Sequence, residues 1–215
     1  MKKYITASVL AVSLLLISIG SFSQSIGLNR EVGITLGGFT NFPSNQHFLD
    51  NNVKVISLAP YVTVGKHQFY AGILYPLNAN GLYSGAKLNS RPGATAGYTY
   101  YIFNKAGREN MYVNYSFQYL RFTGTFVGGP SHYQYFETDY DINNVFSLGY
   151  VVYFDTQQRF GMYYSLGYVI SQGSYQSTME APTHFPWKTQ FIWNNINTNL
   201  GFSFKLKQFD KKVPK

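Results

Sequence analysis

Strand-like alternation of apolar and polar residues constrains the fold of this chain more than any other feature. In residues 195–206 the even-numbered positions are apolar except for one threonine, and the odd-numbered positions are Asn, Gly, Ser or Lys. Residues 144–154 and 160–171 show a similar split. Successive side chains of a β-strand point to opposite faces, so this period of two predicts strands with one apolar face and one polar or small face.

The same pattern recurs upstream with more noise and gives eight predicted strands in all. Aromatic residues make up 19% of the chain and charged residues only 12%. Aromatic and β-branched side chains fit a pleated surface, so this composition also favours an all-β fold. The predicted strands are residues 32–39, 56–64, 68–77, 94–103, 111–119, 144–154, 160–171 and 195–206.

The predicted connections alternate between long and short. The long ones are residues 41–52, 78–93, 127–141 and 172–194, and the short ones are residues 65–67, 104–110 and 155–159. Successive turns of an up-and-down barrel lie on opposite rims, and outer-membrane barrels keep their short turns on the periplasmic rim. The order therefore predicts an eight-stranded antiparallel up-and-down transmembrane β-barrel, with both termini in the periplasm.

The polar face is rich in glycine, which indicates a face where space is scarce. We therefore expect this face to line a narrow barrel interior that a few tyrosines fill, such as Tyr61, Tyr101 and Tyr163. The apolar face carries almost no charge and is expected to face lipid. Arg121 is the exception, and either a bulge near Tyr119 or a position above the bilayer would account for it. The glycines are Gly33, Gly37, Gly72, Gly97, Gly149, Gly161, Gly167 and Gly201.

The N-terminal residues have the three-part plan of a secretory signal peptide. Lys2 and Lys3 precede an apolar run, and small residues then lead to an expected cleavage after Ser23. The alternative is a retained membrane anchor. We therefore divide the chain into a cleaved signal peptide (1–23), a barrel (24–209) and a basic periplasmic tail (210–215).

The bulk composition narrows the classes of ligand and partner. The chain has no cysteine, which excludes disulfides, thiolate metal sites and the lipid anchor of a bacterial lipoprotein. The net charge is +8, and most of the basic residues are scattered along the chain. The exception is a group of C-terminal lysines that begins with Lys205 and Lys207. These lysines are expected to be solvated or to attract anionic lipid head groups. A nucleic-acid binder would cluster them, so no nucleic-acid partner is expected.

Residues 25–209 resemble the small eight-stranded outer-membrane proteins of the OmpX and OmpA-transmembrane type, in the form common among Bacteroidetes. The last predicted strand resembles the signal that the barrel-assembly machinery reads. This chain departs from many family members by continuing beyond Phe209 to Lys215. The resemblance implies a monomer inserted by that machinery, with outer-membrane lipid and lipopolysaccharide as partners, and it gives no biochemical activity. The residues of the assembly signal are Asn199, Gly201, Phe204 and Leu206.

Few residues suggest chemistry, and no catalytic or cofactor-binding motif is found. The carboxylates of Glu137, Asp139 and Asp141 alternate on the third long connection and are weak candidates for metal binding. The fourth long connection carries aromatic residues that could present a sticky surface to a partner. These recognition candidates are Trp187, Trp193 and Phe185.

The expected function is that of a non-enzymatic outer-membrane protein, with a structural role in the envelope or a role in surface recognition or adhesion through four long extracellular loops. One alternative is a lipid-modifying outer-membrane enzyme, for which Ser131 with His132, or Glu180 with His184, are the only pairings available. The other alternative is a soluble, calycin-like carrier with a lipid inside. The two remaining histidines, His47 and His67, are expected to be solvated.

Overall fold

The computed structural model describes residues 30–43, 54–77, 87–103, 108–127, 133–180 and 187–209. Every pair of strands that neighbour in sequence is antiparallel, and the first strand also pairs with the last, so the sheet closes into a barrel in chain order. The predicted all-β, eight-stranded, up-and-down architecture is confirmed. The strands are β1 (Arg30–Pro43), β2 (Lys54–Val64), β3 (His67–Pro76), β4 (Lys87–Tyr101), β5 (Glu109–Val127), β6 (Tyr133–Tyr153), β7 (Phe160–Glu180) and β8 (Trp187–Phe209).

The predicted signal peptide, residues 1–23, and the predicted basic tail, residues 210–215, lie outside the described residues. Both remain predictions from the sequence.

The three short connections lie on one end of the barrel, which we call the short-turn rim. The turn between β2 and β3 is tight, and Gly65 adopts a φ of 60°, a left-handed conformation that glycine accepts without strain. In the turn between β6 and β7, the Asp155 carboxylate accepts hydrogen bonds from the backbone N–H groups of Phe160 (3.1 Å) and Arg159 (2.7 Å). These bonds favour the charged carboxylate and hold the pKa of Asp155 below its usual value.

The strands extend much further toward the opposite end, which we call the far rim, than the sequence predicted. Residues 133–141, 172–180 and 187–194 were expected in long loops and instead belong to β6, β7 and β8. The two connections shrink to residues 128–132 and 181–186, which lie outside the described residues. The prediction was wrong for two reasons. Backbone ladder bonds hold a strand without apolar alternation, as in residues 172–180. Residues 187–193 do alternate, but their apolar residues are at odd positions, opposite in phase to the apolar residues of 195–206.

The apolar side chains face away from the barrel axis. On β8, Ile196, Leu200 and Phe204 are exposed, while Asn197 and Ser203 are buried in the interior. The pattern repeats across the sheet, where Leu148 of β6 lies opposite Leu166 of β7 and each is 51% exposed. The predicted outward orientation of the apolar face is confirmed, and the inward face carries buried apolar residues such as Leu74 and Val169 besides the small and polar ones.

Arg121 lies where the register of β5 shifts against both of its neighbours. The register between β4 and β5 shifts between Tyr119 and Arg121, and the register between β5 and β6 shifts between Leu120 and Thr123. Leu120 is buried, and Arg121 is half-buried with its Nε atom buried. The structure therefore contains the predicted bulge near Tyr119, the first of the two alternatives.

Candidate functional site

An apolar band surrounds the outside of the barrel. On β8 its outward residues extend from Ile196 to Leu206, and on β7 the band extends from Phe160 to Ile170. Ten strand residues at about 3.3 Å each, with a tilt of about 40°, give the band a height of roughly 25 Å. An exposed apolar surface that encircles the whole molecule is far larger than the patches that soluble monomers expose.

Tyrosine rings fill the interior, or lumen, near the short-turn rim. Tyr101, Tyr112 and Tyr153 pack together with Val151, and Tyr163 packs against them. Tyr61 and Tyr101 are buried, as predicted for the tyrosines of the polar face, whereas Tyr112 and Tyr153 were not singled out from the sequence. Their inward orientation could have been predicted from the alternation of side chains along the strand, because Tyr112 and Tyr153 are each in phase with inward-facing residues of their own strand.

Several glycines of the lumen lie directly opposite a tyrosine on a neighbouring strand. Gly33 lies opposite Tyr61, Gly97 opposite Tyr70, and Gly149 opposite Tyr112. A Cβ atom added at any of these glycines would overlap the facing ring. The glycines of the polar face therefore make room for the rings that close the lumen, which explains why the sequence pairs the two residue types.

Polar side chains between the rings bond to one another. The Tyr101 hydroxyl donates to Oε1 of Gln68 at 2.7 Å, and the Tyr70 hydroxyl donates to Oδ1 of Asn114 at 2.9 Å. Thr99 also donates to Asn114, at 3.0 Å. A buried polar group is costly unless it is bonded, so this network stabilises the polar interior.

An ion pair lies inside the barrel at the short-turn rim. Nζ of Lys205 donates to Oε1 of Glu31 at 2.8 Å, and the two side chains are only 6% and 12% exposed. Lys205 also donates to the carbonyl oxygen of Gln157 at 3.3 Å. Lys205 was expected to belong to a solvated basic tail, and this prediction is wrong for this residue. Its odd position on β8, in phase with Asn197 and Ser203, points it inward.

Apolar side chains close the lumen toward the far rim. Leu74 and Val169 are completely buried, and their inward positions lie well above the tyrosine cluster. A cavity of about 80 Å³ remains between the two layers, lined by residues such as Thr95, Ser116 and Asn197. This volume accommodates a few water molecules but no continuous aqueous channel. The other apolar residues of the layer are Phe39, Val55, Leu120 and Val145.

Of the three weak metal candidates, the structure describes the side chain of Asp141 alone. Asp141 lies on β6 and accepts a hydrogen bond from Nδ2 of Asn143 at 3.4 Å. A register shift at Asp139 breaks the simple alternation that would relate Glu137 to Asp141. The side chains of Glu137 and Asp139 are outside the described residues, and no group of three possible metal ligands occurs among those described.

Two of the three recognition candidates lie on a strand rather than in a loop. Trp187 and Trp193 belong to β8, opposite Ser177 and Ser171 of β7. Phe185 lies outside the described residues, as do the side chains of both tryptophans.

The histidines of the suggested enzyme pairs, His132 and His184, and also His47, are outside the described residues. His67 is described. Its ring stacks on Tyr98, and Nδ1 lies 2.7 Å from the Tyr98 hydroxyl. His67 is exposed, as expected, and it lies at the start of β3, in an aromatic cluster near the short-turn rim.

The residues of the proposed assembly signal lie on the strand that closes the barrel. Gly201 faces the lumen, while Phe204 and Leu206 are exposed on the outer face. Phe204 packs against Phe160 of β7, with ring centroids 5.0 Å apart. Asn199 faces the lumen from its odd position on β8 and lies opposite Ser165.

No protein-family model matches this chain, and no curated protein matches it. Several solved structures share its outline, and two of them are described here. The N-terminal β-barrel domain of Pseudomonas aeruginosa OprF is similar over 83% of this chain and 97% of its own, at 11% identity and a TM-score of 0.49. A major outer membrane protein from Thermus thermophilus is similar over 81% of this chain and 99% of its own, at 8% identity and a TM-score of 0.47. Sequence identities and TM-scores as low as these do not indicate a function, so the function has to be inferred from the chain's own geometry.

Proposed function

We propose that this chain is an integral, non-enzymatic β-barrel protein of a bacterial outer membrane. The observation that carries the proposal is the apolar band, which is about as tall as the hydrocarbon zone that outer-membrane barrels span. The described residues include no helix of the length and apolarity needed to cross a membrane. The predicted signal peptide and the assembly signal on β8 support the same location, with the short-turn rim and both termini in the periplasm.

The closed lumen favours a structural or recognition role over transport. Tyrosine rings and the Lys205–Glu31 ion pair fill one end, and buried apolar residues such as Leu74 fill the other. An eight-stranded barrel is only wide enough to be filled by its own side chains. We therefore propose a role in the envelope itself or in contacts made outside the membrane.

The unequal strand lengths support a recognition surface at the far rim. The strands β5 to β8 are 19, 21, 21 and 23 residues long, whereas β2 and β3 have 11 and 10. About ten residues span the membrane, so the four long strands continue beyond it as a sheet. We propose that this extension, which carries Trp187 and Trp193, presents the surface for recognition or adhesion.

The membrane assignment is tested by fractionation and gel mobility of the full chain. We expect the processed protein in the outer-membrane fraction, resistant to extraction with carbonate, and migrating faster before boiling than after it. A freely soluble processed protein would contradict the proposal. The recognition role is tested by replacing residues 174–191 with a short turn, after which compact barrels should remain while cell adhesion falls.

The alternatives make different predictions. A soluble lipid carrier needs a roomy apolar interior, but the lumen cavity here has a volume of only about 80 Å³, and most of the residues that line it carry a hydroxyl or amide group. A lipid-modifying enzyme would change the lipid A profile, so mass spectrometry of lipid A with and without the gene distinguishes it. We expect identical profiles, and a lost or new lipid A species in the deletion strain would argue for the enzyme.

A further inference from the structure

A series of hydrogen-bonded polar side chains crosses the lumen on the far-rim side of the buried Val145. Nδ2 of Asn195 on β8 donates to Oγ of Ser171 on β7 at 3.2 Å, and that hydroxyl donates to Oδ1 of Asn143 on β6. Nδ2 of Asn143 in turn donates to Oδ2 of Asp141 at 3.4 Å. Each donor in the series points toward Asp141, so the series ends at a carboxylate.

The carboxylate of Asp141 has little compensation for its charge. Its hydrogen bond from Asn143 is long, and its other oxygen, Oδ1, is buried without a hydrogen-bond partner. Among the described residues no cation pairs with Asp141, and the nearby Arg121 has other contacts. An unpaired charge inside a protein is costly, so this carboxylate requires either a proton or a bound cation.

A second buried oxygen without a partner lies close to the first. Gln118 of β5 is 6% exposed and lies directly opposite Asn143, and its Oε1 atom has no hydrogen-bond partner. Gln118 and Asp141 are therefore diagonal neighbours on the inward face, with Cβ atoms about 7 Å apart. Side chains of this length can bring both oxygens within about 5 Å of each other, the separation of two oxygens that share a hard cation.

Asp141 lies at the base of the sheet that extends toward the far rim. Its partner on β5 is Leu120, the last residue in regular register before the shift between β5 and β6. Its partner on β7 is Gly173, which contributes no side chain to the space beside the carboxylate. Asp141 as a whole is half-buried, so a small ion can reach it from the far rim without opening the barrel.

We propose that Asp141 and Gln118 bind a sodium ion inside the far end of the barrel. Carboxylate and amide oxygens are the ligands that hard cations prefer, and the one described carboxylate balances a single positive charge. A divalent ion would leave an excess positive charge in a poorly hydrated interior. The bound ion would join β5 to β6 at their register shift and stabilise the extended sheet. This site goes beyond the proposed function, because it depends only on the closed barrel.

The test measures urea unfolding of the full processed chain, refolded in neutral detergent, while choline chloride is replaced stepwise by sodium chloride at constant ionic strength. We expect the wild-type midpoint to rise with sodium, because a ligand that binds only the folded state stabilises that state. Asp141→Asn removes the charge at constant size and should abolish the dependence. Gln118→Met should move it to about tenfold higher sodium. Glu109→Gln, the matched control at the short-turn rim, should keep the wild-type dependence.

A second carboxylate at the site should change its selectivity. Gln118→Glu places a carboxylate diagonal to Asp141, which raises the charge of the ligand set toward that of a calcium site. Calcium chloride should therefore raise the urea midpoint of Q118E at concentrations that leave the wild-type midpoint unchanged. A Q118E midpoint that does not respond to calcium would show that the two side chains do not converge.

A wild-type midpoint that is independent of sodium, with D141N at least as stable, would show that Asp141 is protonated and would overturn the proposal. The same holds for an equal sodium response in D141N, or for a wild type that responds to calcium and not to sodium. If D141N forms no compact barrel, the response of Q118M decides, and an unchanged sodium dependence there refutes the site. The assay needs no membrane, so its outcome is separate from the fractionation that tests the proposed function.

Discussion

A methyl group added at Gly37 should destabilise the barrel by colliding with one hydroxyl group. The Cβ of an alanine at this position would overlap Oη of Tyr163, while the ring carbon Cζ would lie 3.1 Å away. Gly37 lies directly opposite Gly201 of β8, and the Tyr163 hydroxyl occupies the space that these two glycines leave. The Gly37→Ala change is therefore a test of how the lumen is packed.

The magnitude follows from two opposing effects. Overpacking a filled interior costs about 1–3 kcal/mol, whereas replacing glycine by alanine at a compatible position stabilises by about 0.4–1 kcal/mol through the unfolded chain. Gly38 is the matched control, because its Cβ would point outward and meet only the carbonyl oxygen of Val55 at 3.6 Å. We expect G37A to be less stable than G38A by roughly 2 kcal/mol, with G38A slightly more stable than the wild type.

The cause is isolated by removing the hydroxyl. Tyr163→Phe alone should destabilise by about 1 kcal/mol, because the Tyr163 hydroxyl hydrogen-bonds Ser57. In the double variant G37A/Y163F the overlap with the hydroxyl disappears, and the approaches that remain tight are 3.1 Å to the ring carbon Cζ and 3.2 Å to the Leu200 carbonyl oxygen. The double variant should therefore be more stable than the sum of the single changes by at least about 1 kcal/mol.

These free energies are measured by reversible urea unfolding of the barrel refolded in lipid vesicles. Tryptophan fluorescence gives the transition, and the fraction of the compact band on unboiled gels gives an independent second probe. Equal midpoints for G37A and G38A would refute the packing argument. Additive effects of G37A and Y163F would show that the hydroxyl is not the group that the new methyl meets.

Three further perturbations test other parts of the molecule. Leu148→Arg, at mid-height on the outer face, should cost about 2–4 kcal/mol in vesicles, and a neutral effect on urea unfolding would argue against lipid at this face. Lys205→Met leaves Glu31 buried without its ammonium and should cost about 3–5 kcal/mol, whereas K205M/E31M should recover most of the loss in the same assay. Asp155→Ala should lower the urea midpoint at pH 7, with D155N intermediate. Because the folded pKa of Asp155 is lowered, its stabilisation is present above the unfolded pKa of about 3.9 and disappears as the pH falls through the folded value, so the wild type and D155A should converge in strong acid. A midpoint difference that persists there would contradict this account.

The strand core of the fold could be predicted because the outer face has to be continuously apolar. Residues 195–206 alternate with a period of two that only a strand with one apolar face accounts for, and the glycines of the opposite face indicate a crowded interior. The predicted strand cores and the order of short connections are confirmed. The ends of the strands could not be predicted, since segments such as residues 172–180 pair through their backbones and carry no apolar stripe.

The sequence by itself determined the number of strands, their order around the barrel and which face is apolar, because each follows from local periodicity and turn residues. Only the tertiary structure decided which side chains meet across the lumen. Lys205 joins Glu31 from the other end of the chain, Gly37 makes room for the Tyr163 hydroxyl, and Arg91 comes to lie opposite Arg121. Each of these contacts depends on the register between paired strands and on the closure of β1 against β8, and no local pattern of residues encodes either one.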